Sequence, residues 1–227
     1  MVLFIQKVPE NFYTSSEFWR QLTYMTMASF LVWVGWFIKH LLAREKEKKN
    51  LKKKIEYLNS LRAVANVYMS MSNLSDIKAI KRVFLLEISN GGDRPKPGSI
   101  VYAKAVEVKV DSESPKNRRE QLLSKYEKIR LDENYIRMVL EAQASGEPYQ
   151  FNVISHKECM LLDLYKTEAI TYSEIYHVYT DPSAEKMFIL SISTDLEGEA
   201  FEDDLVRAII RTEINYLREN FVQYRNT

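Results

Sequence analysis

The chain contains little cysteine and histidine, and this excludes some ways of stabilising a fold. Its single cysteine among 227 residues, Cys159, allows no intramolecular disulfide and fits a reducing compartment. His156 lies three residues before Cys159, but no second cysteine or carboxylate completes a set of metal ligands. We therefore predict no metal site, and we interpret Cys159 as a small buried side chain.

The chain also lacks the short motifs that mark common catalytic and nucleotide-binding sites. It contains no Gly-x-Ser-x-Gly, His-Glu-x-x-His or Gly-x-Gly-x-x-Gly sequence. The Asn90-Gly91-Gly92 loop can cradle an anion through its backbone amides, but no Gly-Lys-Ser/Thr follows it, and a plain loop is the alternative. We predict no enzyme, no catalytic residues and no cofactor.

The net charge is small, at +1, and it is distributed unevenly along the chain. Residues 39–54 carry eight basic and two acidic side chains, whereas residues 1–38 carry equal numbers of each. Residues 55–227 are therefore mildly acidic, with a net charge of −5. Such a domain has no electrostatic reason to bind nucleic acid, so we predict no nucleic-acid partner.

The longest apolar stretch, residues 22–38, contains seventeen residues without a charge, LTYMTMASFLVWVGWFI. A helix rises about 1.5 Å per residue, so this stretch nearly crosses the roughly 30 Å apolar layer of a bilayer. Trp19 and Trp36 are typical of membrane interfaces, and the long stem of Lys39 can reach the headgroups. We predict a transmembrane helix at residues 21–42, with a buried helix of a soluble protein as the alternative.

The flanking charges predict the orientation of this helix. Because the basic residues follow the span, the positive-inside rule places residue 39 and everything after it in the cytoplasm. The short segment 1–20 is then outside an inner or plasma membrane, and the basic run faces anionic headgroups. The start of the chain lacks a basic n-region and a cleavage site, so we predict a retained single-pass anchor.

Residues 43–72 contain neither glycine nor proline and are rich in helix-forming residues. Leu51, Ile55 and Leu58 follow steps of four and three, a pattern typical of a coiled coil. We predict a helical stalk that joins two copies in a parallel homodimer through these three residues. Because the pattern covers only two heptads, a lone amphipathic helix packed on its own domain is the alternative.

The remaining residues, 73–227, alternate short apolar runs with segments of helical periodicity. Five strands are predicted, at residues 83–88, 100–110, 149–153, 174–180 and 186–194. Helices are predicted after Ser75, from Ser114 through Ile129, from Asp132 to Gly146, at residues 157–166 and at the C-terminus. On the last helix we predict an inward face of Phe201, Leu205, Ile209, Thr212 and Tyr216, broadened by Val206, Ile210 and Leu217.

This order of elements predicts an α+β fold, a mostly antiparallel five-stranded sheet flanked by helices. The chain has a long first helix, a strand and loop VFLLEISNGG, and the pair SEIYHVYTD and KMFILSIST before the last helix. In these features residues 56–222 resemble the GAF domain family. PAS-like sensor folds share much of this order. The resemblance implies a domain that binds a small ligand between sheet and helices, or that dimerises.

The GAF resemblance also indicates which ligands fit poorly. The Asn-Lys-Phe-Asp-Glu set of cyclic-nucleotide-binding members is missing, and Cys159 is the only candidate for attaching a bilin. A ligand pocket is predicted to be lined by Tyr149, Phe151, Tyr172, Tyr176 and His177. Ordinary packing of tyrosine on strands is the alternative for these residues.

Together these patterns predict a membrane-anchored cytoplasmic GAF-like domain with a sensory or regulatory role, acting through ligand or partner binding. The chain ends at Thr227, directly after the last predicted helix, so we expect no output domain of its own. The alternative is a structural or assembly subunit of a membrane complex. In that case the domain docks a protein partner, which the sequence does not identify, and binds no ligand.

Overall fold

The structure is a computed structural model that describes residues 16–90, 99–155, 159–181, 185–196 and 198–225. Residues 1–15, Gly91, Gly92 and His156 lie outside these ranges. The helices are α1 (Ser16–Ser75), α2 (Arg118–Lys125), α3 (Glu133–Ser145), α4 (Leu162–Thr167) and α5 (Asp204–Arg225). The strands are β1 (Arg82–Ser89), β2 (Tyr102–Val110), β3 (Ile129–Arg130), β4 (Tyr149–Asn152), β5 (Tyr172–Thr180) and β6 (Lys186–Thr194). The chain divides into two compact units, with the boundary between Tyr57 and Leu58.

In the first unit, helix α1 carries the apolar stretch of residues 22–38. Trp19 and Trp36 are 57% and 61% exposed in the protein, and Lys39 is also exposed. By length and composition this part of α1 is a candidate membrane span. The membrane span, its orientation and the interfacial role of these three residues stay predictions.

The proposed dimer seam also lies on α1. Leu51, Ile55 and Leu58 are all exposed, and each belongs to the helix without a break. Exposed leucine and isoleucine at such spacing are compatible with a partner helix, but exposure alone does not identify one. The parallel homodimer therefore stays a prediction.

The second unit is built on a six-stranded antiparallel sheet of order β3-β2-β1-β6-β5-β4. The predicted number of strands, five, was wrong because β3 was missed. This strand has only two residues, Ile129 and Arg130, which pair with Ala103 and Tyr102. The helix predicted from Ser114 through Ile129 includes the first residue of β3, but α2 ends at Lys125. A two-residue strand has no periodicity of its own, so only its pairing with β2 reveals it.

Helices cover both faces of the sheet. Along β1, Phe84 and Leu86 point to one face, and Val83 and Leu85 point to the other, as side chains alternate along a strand. We call the first the α3 face; it is covered by residues of α2, α3 and α4, including Leu122, Tyr135, Val139 and Tyr165. We call the second the α5 face; it is covered by the end of α1 and by α5, including Met71, Leu74, Ile210, Ile214 and Leu217.

Both ends of α3 are as predicted, whereas the segment after Ser75 is not. Asp132 caps α3, because its Oδ1 accepts a hydrogen bond from the backbone N of Tyr135 at 2.8 Å, as predicted. Gly146 ends α3 in the left-handed conformation, with φ of 72°. The short helix predicted after Ser75 was wrong, since the chain turns there and Arg82 already pairs within β1.

The inward face predicted for the C-terminal helix was right at half of its positions. Phe201, Ile210 and Leu217 are buried and Val206 is partly buried, as predicted, and Ile214 is buried with them. The other four residues, Leu205, Ile209, Thr212 and Tyr216, are exposed, so the prediction was wrong there. The helix carries two apolar stripes, and the sequence does not tell which of them meets the sheet. The second stripe remains on the surface.

Candidate ligand site between the sheet and the C-terminal helix

A cleft of about 430 Å³ lies on the α5 face, between α5 and the strands β4 and β5. Helix α5 contributes Arg207, Arg211 and Arg218 to its lining. These positions are four and seven residues apart in turn, so they share one side of the helix. Glu174 and Tyr176 of β5 line it from the sheet. The cleft is therefore polar and rich in arginine.

The carboxylate of Glu174 is the most deeply buried charge of this cleft, with 4% of the residue exposed. It accepts hydrogen bonds from the hydroxyls of Tyr172, at 3.3 Å, and of Tyr176. Residues two apart on a strand share one face, which brings these three side chains together. Burial, followed by the adjacent Glu174 charge, raises the pKa of both tyrosines, so both remain donors at neutral pH.

Two of the three arginines are held by backbone carbonyl groups. Arg218 donates from Nε to the carbonyl oxygen of His177, at 3.0 Å, and from a terminal nitrogen to that of Gly146, at 3.3 Å. Arg207 donates from Nε to the carbonyl oxygen of Phe201, at 2.9 Å. These bonds fix the two side chains at the two ends of the cleft.

Arg211 is held more loosely. A terminal nitrogen lies 3.8 Å from a carboxylate oxygen of Glu147, and both side chains are about two-thirds exposed or more, at 71% and 67%. Such an exposed ion pair contributes little to the stability of the fold, because water and salt screen it. Three guanidinium groups against the carboxylates of Glu147 and Glu174 leave the lining with an excess of positive charge. An anion is therefore the favoured occupant.

The five residues predicted to line one pocket lie on both faces of the sheet. Tyr176 lines the cleft, and Tyr172 supports it through Glu174. Phe151 is fully buried on the α3 face, with its ring 5.4 Å from that of Tyr165, and Tyr149 packs against the same core. The structure does not bring all five together.

His177 is adjacent to the cleft through its backbone. Its ring Nε2 lies 2.8 Å from the hydroxyl of Thr180, and its carbonyl oxygen accepts the bond from Arg218. Burial, and then the positive charge of Arg218, lowers the pKa of the His177 ring, so it is neutral over most of the physiological range. Between Tyr149 and Phe151, Gln150 is the residue of β4 that lines the cleft.

On the α3 face, a charged pair lies within the core. Arg82 is 2% exposed and forms an ion pair with Glu168. Its guanidinium carbon lies 5.0 Å from the ring centre of Phe84 and 4.9 Å from that of Tyr165. Lys125 Nζ lies 2.6 Å from the other carboxylate oxygen of Glu168. This arrangement holds the sheet to the segment that follows α4.

Sequence reasoning missed the residues that carry charge in both places. Arg82 is the first residue of β1, but the predicted strand starts at Val83, so the sequence did not indicate that Arg82 lies in the sheet. The arginines of α5 give a detectable signal, since positions 207, 211 and 218 fall on one helical side. That signal becomes specific only when the cleft places Glu174 opposite them.

No protein-family model matches the chain, and no curated protein matches it either. Among solved structures, it is similar to the N-acylhomoserine-lactone-dependent LuxR-family transcription factor CepR2 from Burkholderia cenocepacia, with 9% identity over 72% of this chain and 98% of that chain and a TM-score of 0.36. It is similar to the phycoerythrobilin-bound GAF domain of a cyanobacterial phytochrome, with 9% identity, 75% and 96% coverage and a TM-score of 0.38. It is also similar to a red/green cyanobacteriochrome in its red-light-absorbing state, with 13% identity, 65% and 88% coverage and a TM-score of 0.34. Because these TM-scores lie below 0.5 and these identities below 25%, we infer neither a family nor a function from them.

Proposed function

We propose that the chain is a membrane-anchored, GAF-like sensory or regulatory domain whose ligand binds in the cleft beside α5. The observation that carries this proposal is that α5 lines the cleft with one side and is bonded to α1 on another. Asn66 donates to the side chain of Asn220 at 2.8 Å, and Asn73 donates to that of Glu213 at 2.9 Å. A ligand that moves α5 therefore acts directly on the end of α1.

A second copy of the chain completes this mechanism. Met69 on α1 is 52% exposed, and Ile209 and Tyr216 on α5 are each 37% exposed. Ile209 and Tyr216 share a helical side with Glu213, which is bonded to α1, so these apolar side chains lie along the α1–α5 seam. We propose that these exposed apolar residues pack against the same residues of a second copy, as do Leu51, Ile55 and Leu58. A ligand then acts by favouring one packing of the two copies over another.

The membrane anchor places this device at the cytoplasmic side of an inner or plasma membrane. The proposal is supported by the exposed apolar stretch of α1 and by the basic residues that follow it.

An assembly subunit without a ligand is the second candidate function. A groove of about 440 Å³ is lined largely by apolar side chains of α1, the sheet and α5, including Val64, Tyr68, Phe188 and Phe221. Such a groove suits an apolar segment of a partner protein. In this case the domain docks a membrane complex, and the cleft beside α5 has no ligand.

Disulfide cross-linking of the full chain in native membranes tests the proposed function. In a Cys159→Ser background, cysteines at positions 51, 55 and 58 (L51C, I55C and L58C) are each oxidised, and all three are expected to give covalent dimers. The matched control is Lys53→Cys, which lies on the opposite side of α1 from Leu51, Ile55 and Leu58.

A small-molecule screen by thermal shift then identifies ligands. A hit must change the cross-linking yield of Leu58→Cys. Dimers that no hit alters would favour the assembly subunit instead.

A further inference from the structure

We propose that the cleft beside α5 binds the oxyanion of a small molecule, a carboxylate or a phosphate, through Arg207 and Arg211. This inference rests on the proposed ligand-binding function and names its ligand class. It concerns the α5 face, on the other side of the sheet from the buried Arg82–Glu168 pair.

The placement of the arginines favours an anion shared between them. Arg207 and Arg211 are four residues apart on α5, and like charges at this spacing weaken a helix. The only carboxylate within ion-pairing distance of Arg211 in the described residues is that of Glu147, at 3.8 Å and mostly exposed. A bound oxyanion removes the repulsion, and planar guanidinium groups bind carboxylate and phosphate with paired hydrogen bonds.

The residues facing these arginines are already arranged around them. The carboxylate of Glu174 accepts hydrogen bonds from the hydroxyls of Tyr172 and Tyr176, so residues of its own strand stabilise its charge. The bond from Arg207 Nε to Phe201 holds that side chain in position before a ligand arrives. Arg218 acts as a positioning residue, because it ties the end of α3 at Gly146 to β5 at His177.

The size and charge of the cleft restrict the ligand further. A volume of about 430 Å³ is within the range of small-molecule sites, so the oxyanion belongs to a larger molecule. With Glu147 and Glu174 in the lining, a single anionic group is better accommodated than a polyanion. Glu174 also offers an acceptor to a hydroxyl or amino group elsewhere on the same molecule.

Calorimetric titration of the full chain in non-ionic detergent tests this assignment. The probes are benzoate, phenyl phosphate and the neutral benzamide. We expect one or both anions to bind, with benzamide at least about tenfold weaker, since a charge-assisted hydrogen bond contributes this much. Tighter binding of benzoate assigns a carboxylate ligand, and tighter binding of phenyl phosphate assigns a phosphate. If neither anion binds, or benzamide binds equally well, the inference is wrong.

Variants locate the binding. Arg207→Gln and Arg211→Gln are each expected to weaken the better anion about tenfold. The matched control is Arg137→Gln, an exposed arginine of α3 that is paired with Glu133 at 3.0 Å, and it should leave affinity unchanged. Glu147→Gln should strengthen binding about threefold, because it removes the competing carboxylate. A gain of affinity cannot result from misfolding. Equal losses in all three arginine variants would reduce the effect to bulk charge and overturn the assignment.

The two proposals fail differently. If a hit from the thermal-shift screen binds equally well to the Arg207→Gln and Arg211→Gln variants, the oxyanion site is wrong and the sensory function stands. If neither the screen nor the anion probes change the cross-linking yield of Leu58→Cys, the sensory function is wrong as well.

Discussion

The two faces of the sheet accommodate charge in opposite ways. On the α3 face, Arg82 and Glu168 are both buried, and aromatic rings close over the guanidinium group. On the α5 face, Glu174 is buried but is bonded by neutral tyrosine hydroxyls, and the arginines stand at an open cleft. In the first arrangement, the cation and the carboxylate are paired with each other inside the core. The second has cationic groups that an incoming anion can still engage, and this difference separates a structural cluster from a ligand site.

Breaking the α3-face pair should have the largest effect on stability. Arg82→Met leaves the buried carboxylate of Glu168 without its main partner, and removing one member of a buried pair costs about 3–5 kcal/mol. Urea unfolding measures the loss. The double variant Arg82→Met, Glu168→Met should recover most of it, and the control Arg137→Met should cost less than about 1 kcal/mol because its ion pair is exposed. Equal costs for the single and double variants would show that the charge is not what matters.

Removing the buried carboxylate of the α5 face should have a smaller effect. Glu174→Ala leaves two buried tyrosine hydroxyls without their acceptor, which we expect to cost about 2 kcal/mol. Glu174→Gln keeps an acceptor and should cost less. In both variants the pKa of Tyr172 and Tyr176 should fall, because the Glu174 charge is the second cause, after burial, of their raised values. Urea unfolding measures the costs, and a Glu174→Ala variant as stable as the parent chain would contradict the proposed contacts.

Alkaline pH should weaken the fold through buried tyrosines on both faces. Burial raises the pKa of Tyr126 from 10.0 to about 12. The unfolded chain therefore loses this proton first, and stability that is fully present below pH 10 is lost as pH rises through about 12. The stability lost through Tyr126 over this range is about 3 kcal/mol. The free energy of unfolding of Tyr126→Phe, measured by urea unfolding at each pH, should fall less steeply over this pH range than that of the parent chain. The same pH dependence in both chains would contradict the assignment.

The smallest expected effect concerns the edge of the cleft. Burial is the larger cause of the lowered pKa of His177, and the Arg218 charge is the second. Arg218→Gln should therefore raise this pKa only partway towards its ordinary value. Because a lowered histidine pKa contributes stability that is lost as pH falls below about 6.5, the variant should also be less sensitive to acid. NMR titration of the ring protons measures the pKa, and a further decrease would contradict the placement of Arg218.

Local patterns predicted the parts of the fold that depend on neighbouring residues. The apolar run of β1, the bounds of β6 and the caps of α3 at Asp132 and Gly146 all follow from short stretches of sequence. Pairings between distant segments could not be predicted in this way. The strand β3 exists only through its pairing with β2, and Arg82 meets Glu168 from a distant part of the chain.

The candidate site was predicted only in part for the same reason. Tyr172 and Tyr176 were predicted as pocket residues because tyrosines cluster around the last three predicted strands, and in the structure both lie on one face of β5. Whether that face meets α5 or α3 depends on packing, and so Phe151 was placed with them although it lies on the other side. The arginines of α5 were missed because the helical side that meets the sheet was misassigned.

The central claim is that a ligand in the arginine-lined cleft acts on α1 through α5. It is tested most directly by measuring the cross-linking yield of Leu58→Cys while the better of the two anion probes is titrated. We predict that the yield changes with the same half-saturation as calorimetric binding, and that Arg211→Gln shifts both curves to higher concentration. Binding that leaves the yield constant at every concentration would contradict the claim.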